Sequence, residues 1–190
     1  MQKLETAQQL QERIRAVLAT VEREFRPLSD EQLNWKPDTR QWSITQCLQH
    51  LNLAERFYIR NLQKKVDDLG LIQTNPTDQA LQAGLAGRLL RYAVDPNTTM
   101  KLPTVSFMKP RHDLNARDVM QQFIELQQLL HDLLDKATYL DWNRERLMTL
   151  FGNWLKINLG DAFLMLVAHS ERHINQALRV KQQAAGTSSN

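Results

Sequence analysis

The chain has 190 residues, a net charge of +3, 42% hydrophobic and 24% charged residues, and only 6 glycines and 6 prolines. That length buries a full core in about one domain, and the composition excludes collagen-like, low-complexity and wholly disordered readings. The 24 basic and 21 acidic residues are interspersed along the chain, so charge speaks for solubility and gives no basic stripe for a nucleic acid. The longest apolar run, Ala162 to Ala168, is far short of the roughly 20 residues of a membrane span. The start, Met1 to Thr6, lacks a signal-type stretch. The expectation is a cytoplasmic protein with no membrane and no nucleic-acid partner. One cysteine, Cys47, leaves no internal disulfide and no Cys-rich zinc module.

Helical periodicity dominates, and no segment shows a period of two. Over residues 5–25, Leu10, Ile14, Val17, Val21 and Phe25 recur at threes and fours and form one apolar stripe. Ser29 with Gln32, and Ser43 with Gln46, have capping-box spacing on either side of the loop Lys36-Pro37-Asp38-Thr39-Arg40. A second helix is expected from Ser43 to Leu69, with Ile44, Cys47, Leu51, Ala54, Tyr58 and Leu62 inward and Gly70 as its stop. Residues 70–115 hold Pro76, Pro96, Pro103 and Pro110 and at most one short helix, from Thr77 to Tyr92. A third long helix, 116–138, is capped by Asn115 and carries Val119, Phe123, Leu126, Leu130, Leu133 and Ala137. A connection without strands, Tyr139 to Asn158, leads to a last helix from Leu159 to Lys181. The fold class is therefore all-α: a single four-helix-bundle domain over residues 1–182, with a long crossover between helices 2 and 3 and a flexible tail at 183–190.

Helical-wheel position separates the five histidines. His169 and His173 are one turn apart on a shoulder of the last helix's apolar arc, and His50 holds the same half-buried setting on the second helix. Spacing of i, i+4 aims two imidazoles at one point, as in helical metal sites, so three imidazoles from two helices can meet and leave a position open. Glu171, between the pair, points roughly 160° away and is not a metalloprotease-type base. The competing reading makes each histidine a hydrogen-bonded boundary residue. His131 is expected to face solvent and His112 to sit in a loop. Cys47, three residues before His50, reads as a small core residue that could contact a bound molecule. Tyr58 and the tryptophans read as packing. Arg172, Arg179 and Lys181 read as partners of a helix C-terminal dipole.

Several runs together resemble the DinB-like superfamily: Asn34-Trp35-Lys36-Pro37, Gln41 through Leu51 followed by Ala54-Glu55, Phe107 to Pro110, Phe151-Gly152-Asn153-Trp154, and His169-x-x-x-His173-x-x-Gln176. The resemblance spans residues 5–180. It implies a four-helix bundle, often a homodimer, with one divalent metal on His50, His169 and His173. Relatives with known activity include bacillithiol transferases and mycothiol-dependent isomerases, and others are described as metal-dependent hydrolases. The expected function is a zinc- or nickel-dependent enzyme with a small-molecule partner, a low-molecular-weight thiol being transferred to an electrophile, or else a hydrolase. Its pocket is expected between the histidine-bearing helices under residues 95–112. The alternative is a non-catalytic binding or stress-response bundle. Specific catalytic residues are not assigned.

Overall fold

A computed structural model describes residues 1–69, 78–98 and 104–187. Gly70, Pro76, Thr77 and Pro103, and the last three residues of the expected tail, lie outside that set. Helix α1 (Lys3–Glu24) is followed by the short α2 (Asp30–Asn34) and the long α3 (Ile44–Leu69). Both expected capping boxes are present. Ser29 Oγ accepts the Gln32 N–H at 3.2 Å, and Ser43 Oγ accepts the Gln46 N–H at 3.1 Å, with each glutamine returning the bond. They satisfy helix-start donors that have no intrahelical partner. Helix α4 (Leu85–Val94) precedes a single 3-10 turn at Ser106–Met108. Helix α5 (Ala116–Ala137) starts at Asn115, whose side chain accepts from the Arg117 and Asp118 N–H groups. The final helix is α6 (Leu159–Thr187).

The described chain is mostly helical, as expected, with three differences. The connection expected to hold no strand forms an antiparallel hairpin, β1 (Arg146–Thr149) and β2 (Gly152–Asn158), with Leu147 opposite Ile157. Its inward residues, Leu147, Thr149 and Ile157, are buried while Arg146 and Lys156 are exposed. That is a real period of two, but over a stretch too short to stand out beside long helices. Gly152 makes the turn at φ +102°, a conformation that costs an L side chain strain. The last helix runs on to Thr187 instead of ending at Lys181, because Gln182, Gln183, Ala184 and Ala185 are good helix formers and Lys181 pairs with Glu24 at 2.8 Å. The short helix begins at Leu85, later than the expected Thr77.

Helix α3 packs on α5 and α6, and α1 packs on the same two. Their apolar stripes build two hydrophobic clusters, one around Leu10, Leu62, Leu130 and Phe163, the other around Phe25, Leu51, Phe123 and Ile174. Between the clusters, α3, α5 and α6 each place a fully buried polar residue: Glu55, Gln127 and Ser170. The end of α5 is closed by one distant side chain and one local one. Buried Lys3 donates to the carbonyls of Thr138 and Leu140, at 2.7 and 3.0 Å, and Trp142 Nε1 donates to Ala137 O at 2.8 Å. Carbonyls left over by the helix are thereby paired.

Helix α4 is fastened to α6. The Asp161 carboxylate accepts the Gly84 N–H at 2.8 Å, and Arg172 donates to the carbonyls of Asp95 and Thr98. Arg172 sits mid-helix, so its role is this anchorage and not the helix-end role expected of it. No helix among the described residues is long and apolar enough to cross a membrane.

Candidate metal centre

His50 lies in the second turn of α3, and His169 and His173 lie one turn apart on the facing surface of α6. The packing of these two helices brings one ligand nitrogen from each ring within 4.8 Å of the others. The Nε2 atoms of His50 and His169 are 3.3 Å apart. Ring centroids are separated by 5.2 Å for His50 and His169, 4.6 Å for His50 and His173, and 4.8 Å for His169 and His173. The structure thus brings together the three histidines singled out in the sequence, and leaves out the other two.

Hydrogen bonds on the outer nitrogens decide which nitrogen is bare. The Met108 carbonyl can only accept, so His50 Nδ1, 2.9 Å away, carries the proton and Nε2 presents a lone pair inward. His173 Nδ1 donates to Gln176 Oε1 at 2.9 Å, with the same consequence. Such outward bonds orient imidazoles at metal sites. All three rings are held neutral. Burial lowers the pKa of His50, burial and the neighbouring His173 and His50 lower that of His169, and burial with His50 brings His173 down to about 3. Three neutral nitrogen donors at this spacing form a set suited to a borderline transition-metal cation, with no cluster of carboxylates to favour a hard one. His50 is buried, and His169 and His173 are half-buried.

Around the rings stand groups that sequence reasoning left without a role. Trp42 lies over the cluster, its ring 5.0 Å from that of His50 and stacked at 5.8 Å on that of His173. Its position one residue before the Ser43 cap was the available signal. Gln176, three residues after His173, shares its side of the helix. The turn carrying Met108 is tied to α3 twice more, by Gln46 Nε2 on Arg111 O and by the Arg111 N–H on Gln49 Oε1.

Other expectations resolve as follows. Glu171 does point away, forming a two-bond pair with Arg13 of α1 at 2.6 and 2.7 Å. Cys47 is fully buried among Phe25, Ile44 and Leu51, its thiol pushed up to about 12 by burial. It is a core residue and faces no site. Tyr58 is buried and its hydroxyl accepts the Leu150 N–H. His131 is half-buried against Arg15 and Asp132 rather than free in solvent. His112 is in a loop, as expected, and exposed.

A mostly helical protein with three convergent neutral imidazoles on two packed helices defines a class of candidate metal-site protein. Residues 5–177 match the family model of the DinB superfamily, and the chain belongs to that superfamily. It is similar to the uncharacterized protein YuaE of Bacillus subtilis (strain 168), at 24% identity over 163 residues, covering 84% of this chain and 90% of that one.

Proposed function

We infer that this protein is a metal-dependent enzyme acting on a small molecule, with His50, His169 and His173 holding one divalent ion, zinc or nickel. The observation that carries this reading is the convergence of three neutral ring nitrogens, two of them oriented by outward hydrogen bonds. A divalent ion there supplies a positive charge that polarises a substrate group and favours the anion of a thiol or water. The chain's own contribution is to orient the rings through Met108 and Gln176 and to cover them with Trp42. Among the described residues no carboxylate is hydrogen-bonded to the three rings. A thiol ionises near pH 8.5 and water near 15.7, so thiol transfer to a small electrophile asks less of such a site and stands ahead of hydrolysis.

The architecture we propose is a four-helix bundle formed by α1, α3, α5 and α6, with residues 70–115 as its crossover. The closed circuit of packing from α1 to α5, α3, α6 and back supports it. A second copy is the proposed macromolecular partner. Helix α4 supports this with an outward stripe of Leu85, Leu89 and Tyr92, which are 84%, 68% and 60% exposed.

The test is metal content by elemental mass spectrometry, on protein purified without a metal-binding tag, beside the variant His50→Ala, His169→Ala, His173→Ala. The expected result is about one zinc or nickel per chain in the wild type and none in a variant that stays helical, since the apolar clusters carry the fold. A wild type that stays empty after titration with either metal overturns the reading in favour of a non-catalytic binding protein.

A further inference from the structure

Next to the histidines, the loop of residues 36–42 and residues 104–112 enclose an open cleft of about 410 Å³. That volume falls in the range of small-ligand sites. Its lining includes Lys36, Arg40, Lys109 and His112, and none of the described residues lining it is acidic. Asp38 belongs to the same loop without lining the cleft; it is exposed and stays ionised beside Arg40. One oxygen accepts the Arg40 and Gln41 N–H groups at 2.6 and 3.0 Å, the other accepts Gln41 Nε2 at 2.6 Å, and these bonds hold the carboxyl below its usual range. Lys36 donates to a neutral acceptor, the Thr39 carbonyl. Lys36, Arg40 and Lys109 outnumber this one neighbouring carboxylate, so the concave surface keeps a net positive charge.

Two contacts join this cleft to the histidines. Trp42 lines it and also packs on His50 and His173. Lys109 lines it and directly follows Met108, whose carbonyl holds His50. Trp42 thus stands between the cleft, which none of the three histidines lines, and the imidazoles of His50 and His173.

We propose that this cleft takes the anionic portion, a carboxylate or a phosphate, of the small-molecule substrate, and that Arg40 and Lys109 bind it. The inference rests on the metal-dependent reading for the word substrate, and on the cleft alone for the anion. Arg40 offers a planar fork suited to two oxygens at once, and Lys109 a point charge. Trp42 supplies an apolar face for the part of the molecule between the anion and the reacting group.

The probes are succinate and inorganic phosphate, with succinamide as the neutral control. Each is titrated at constant ionic strength into isotopically labelled protein as purified, followed by amide NMR, in the wild type and in the exposed double variant Arg40→Gln, Lys109→Gln. Expected are saturable shifts confined to residues 36–42 and 104–112 with one or both anions, at least tenfold weaker in the double variant. The stronger arm identifies the chemical group. Shifts that do not saturate, that survive in the double variant, or that succinamide reproduces overturn the proposal. Zinc uptake is measured on the same samples. Anion binding in protein that takes up no zinc leaves the anion site standing and removes the metal centre, whereas normal zinc uptake with no anion response removes the anion site alone.

Discussion

Ser170 Oγ lies 2.6 Å from Glu55 Oε1 at a point in the core where neither residue reaches solvent. The same hydroxyl is 3.0 Å from the Leu166 carbonyl, and it has one proton for two acceptors. A neutral Glu55 resolves the conflict. Its carboxylic acid donates to Ser170, Ser170 donates to Leu166, and Gln127 Nε2 donates to the other Glu55 oxygen at 2.7 Å. Burial acts in the same direction and raises the Glu55 pKa to about 8. This polar layer adjoins the histidine cluster through the chain, since Ser170 follows His169.

The Glu55 layer has a pH consequence with a definite sign. In the unfolded chain the carboxyl ionises near 4.5, and in the folded protein it keeps its proton to about 8. Between those values the unfolded state binds fewer protons, so this group's contribution to stability falls as pH rises. Glu55→Gln keeps a neutral side chain of the same shape and removes that dependence. Urea unfolding should show the variant gaining about 3–4 kcal/mol relative to wild type on going from pH 5 to pH 8. Parallel pH profiles for the two proteins would contradict a neutral Glu55.

Gln176 touches the centre only through His173. Gln176→Leu removes the acceptor that fixes the proton on Nδ1, and should weaken zinc binding about 10–100-fold, the usual effect of losing such a partner. Gln176→Glu retains an acceptor and should restore most of the affinity. Competition with a chelating dye measures both. Equal affinities for wild type and the leucine variant would show that the bond at 2.9 Å has no orienting role.

Gly87 faces the Asp161 carboxyl so closely that a Cβ on it would stand 2.1 Å from Asp161 Cγ. Gly87→Ala should therefore push α4 off α6 and cost about 1–3 kcal/mol, as overpacking does. Combining it with Asp161→Ala should recover part of the loss in thermal melts, despite the Gly84 N–H bond also removed. Strict additivity of the two substitutions would show that the contact does not couple them.

Much of the fold was legible in the sequence because it rests on local pattern. The stripes of α1, α3 and α5 follow from spacings of three and four, and the starts of α2, α3 and α5 from Ser29, Ser43 and Asn115. The hairpin was not, since a strand of 4 residues and one of 7 carry little signal beside the 22 residues of α5. Nor was the full length of α6, whose final turns have no apolar stripe of their own.

For the site, the sequence by itself placed His169 and His173 on one face of a helix and His50 on the shoulder of another, because helix geometry converts spacing into direction. Only the tertiary structure decided that the two faces meet, which depends on how α3 and α6 pack over the whole molecule. It also decided what surrounds the meeting point: Trp42 over the rings, the Met108 carbonyl on His50, and a positive cleft assembled from loops that lie more than sixty residues apart in sequence, as Gln46 and Arg111 do. Such contacts join partners of no fixed spacing, so no periodicity announces them.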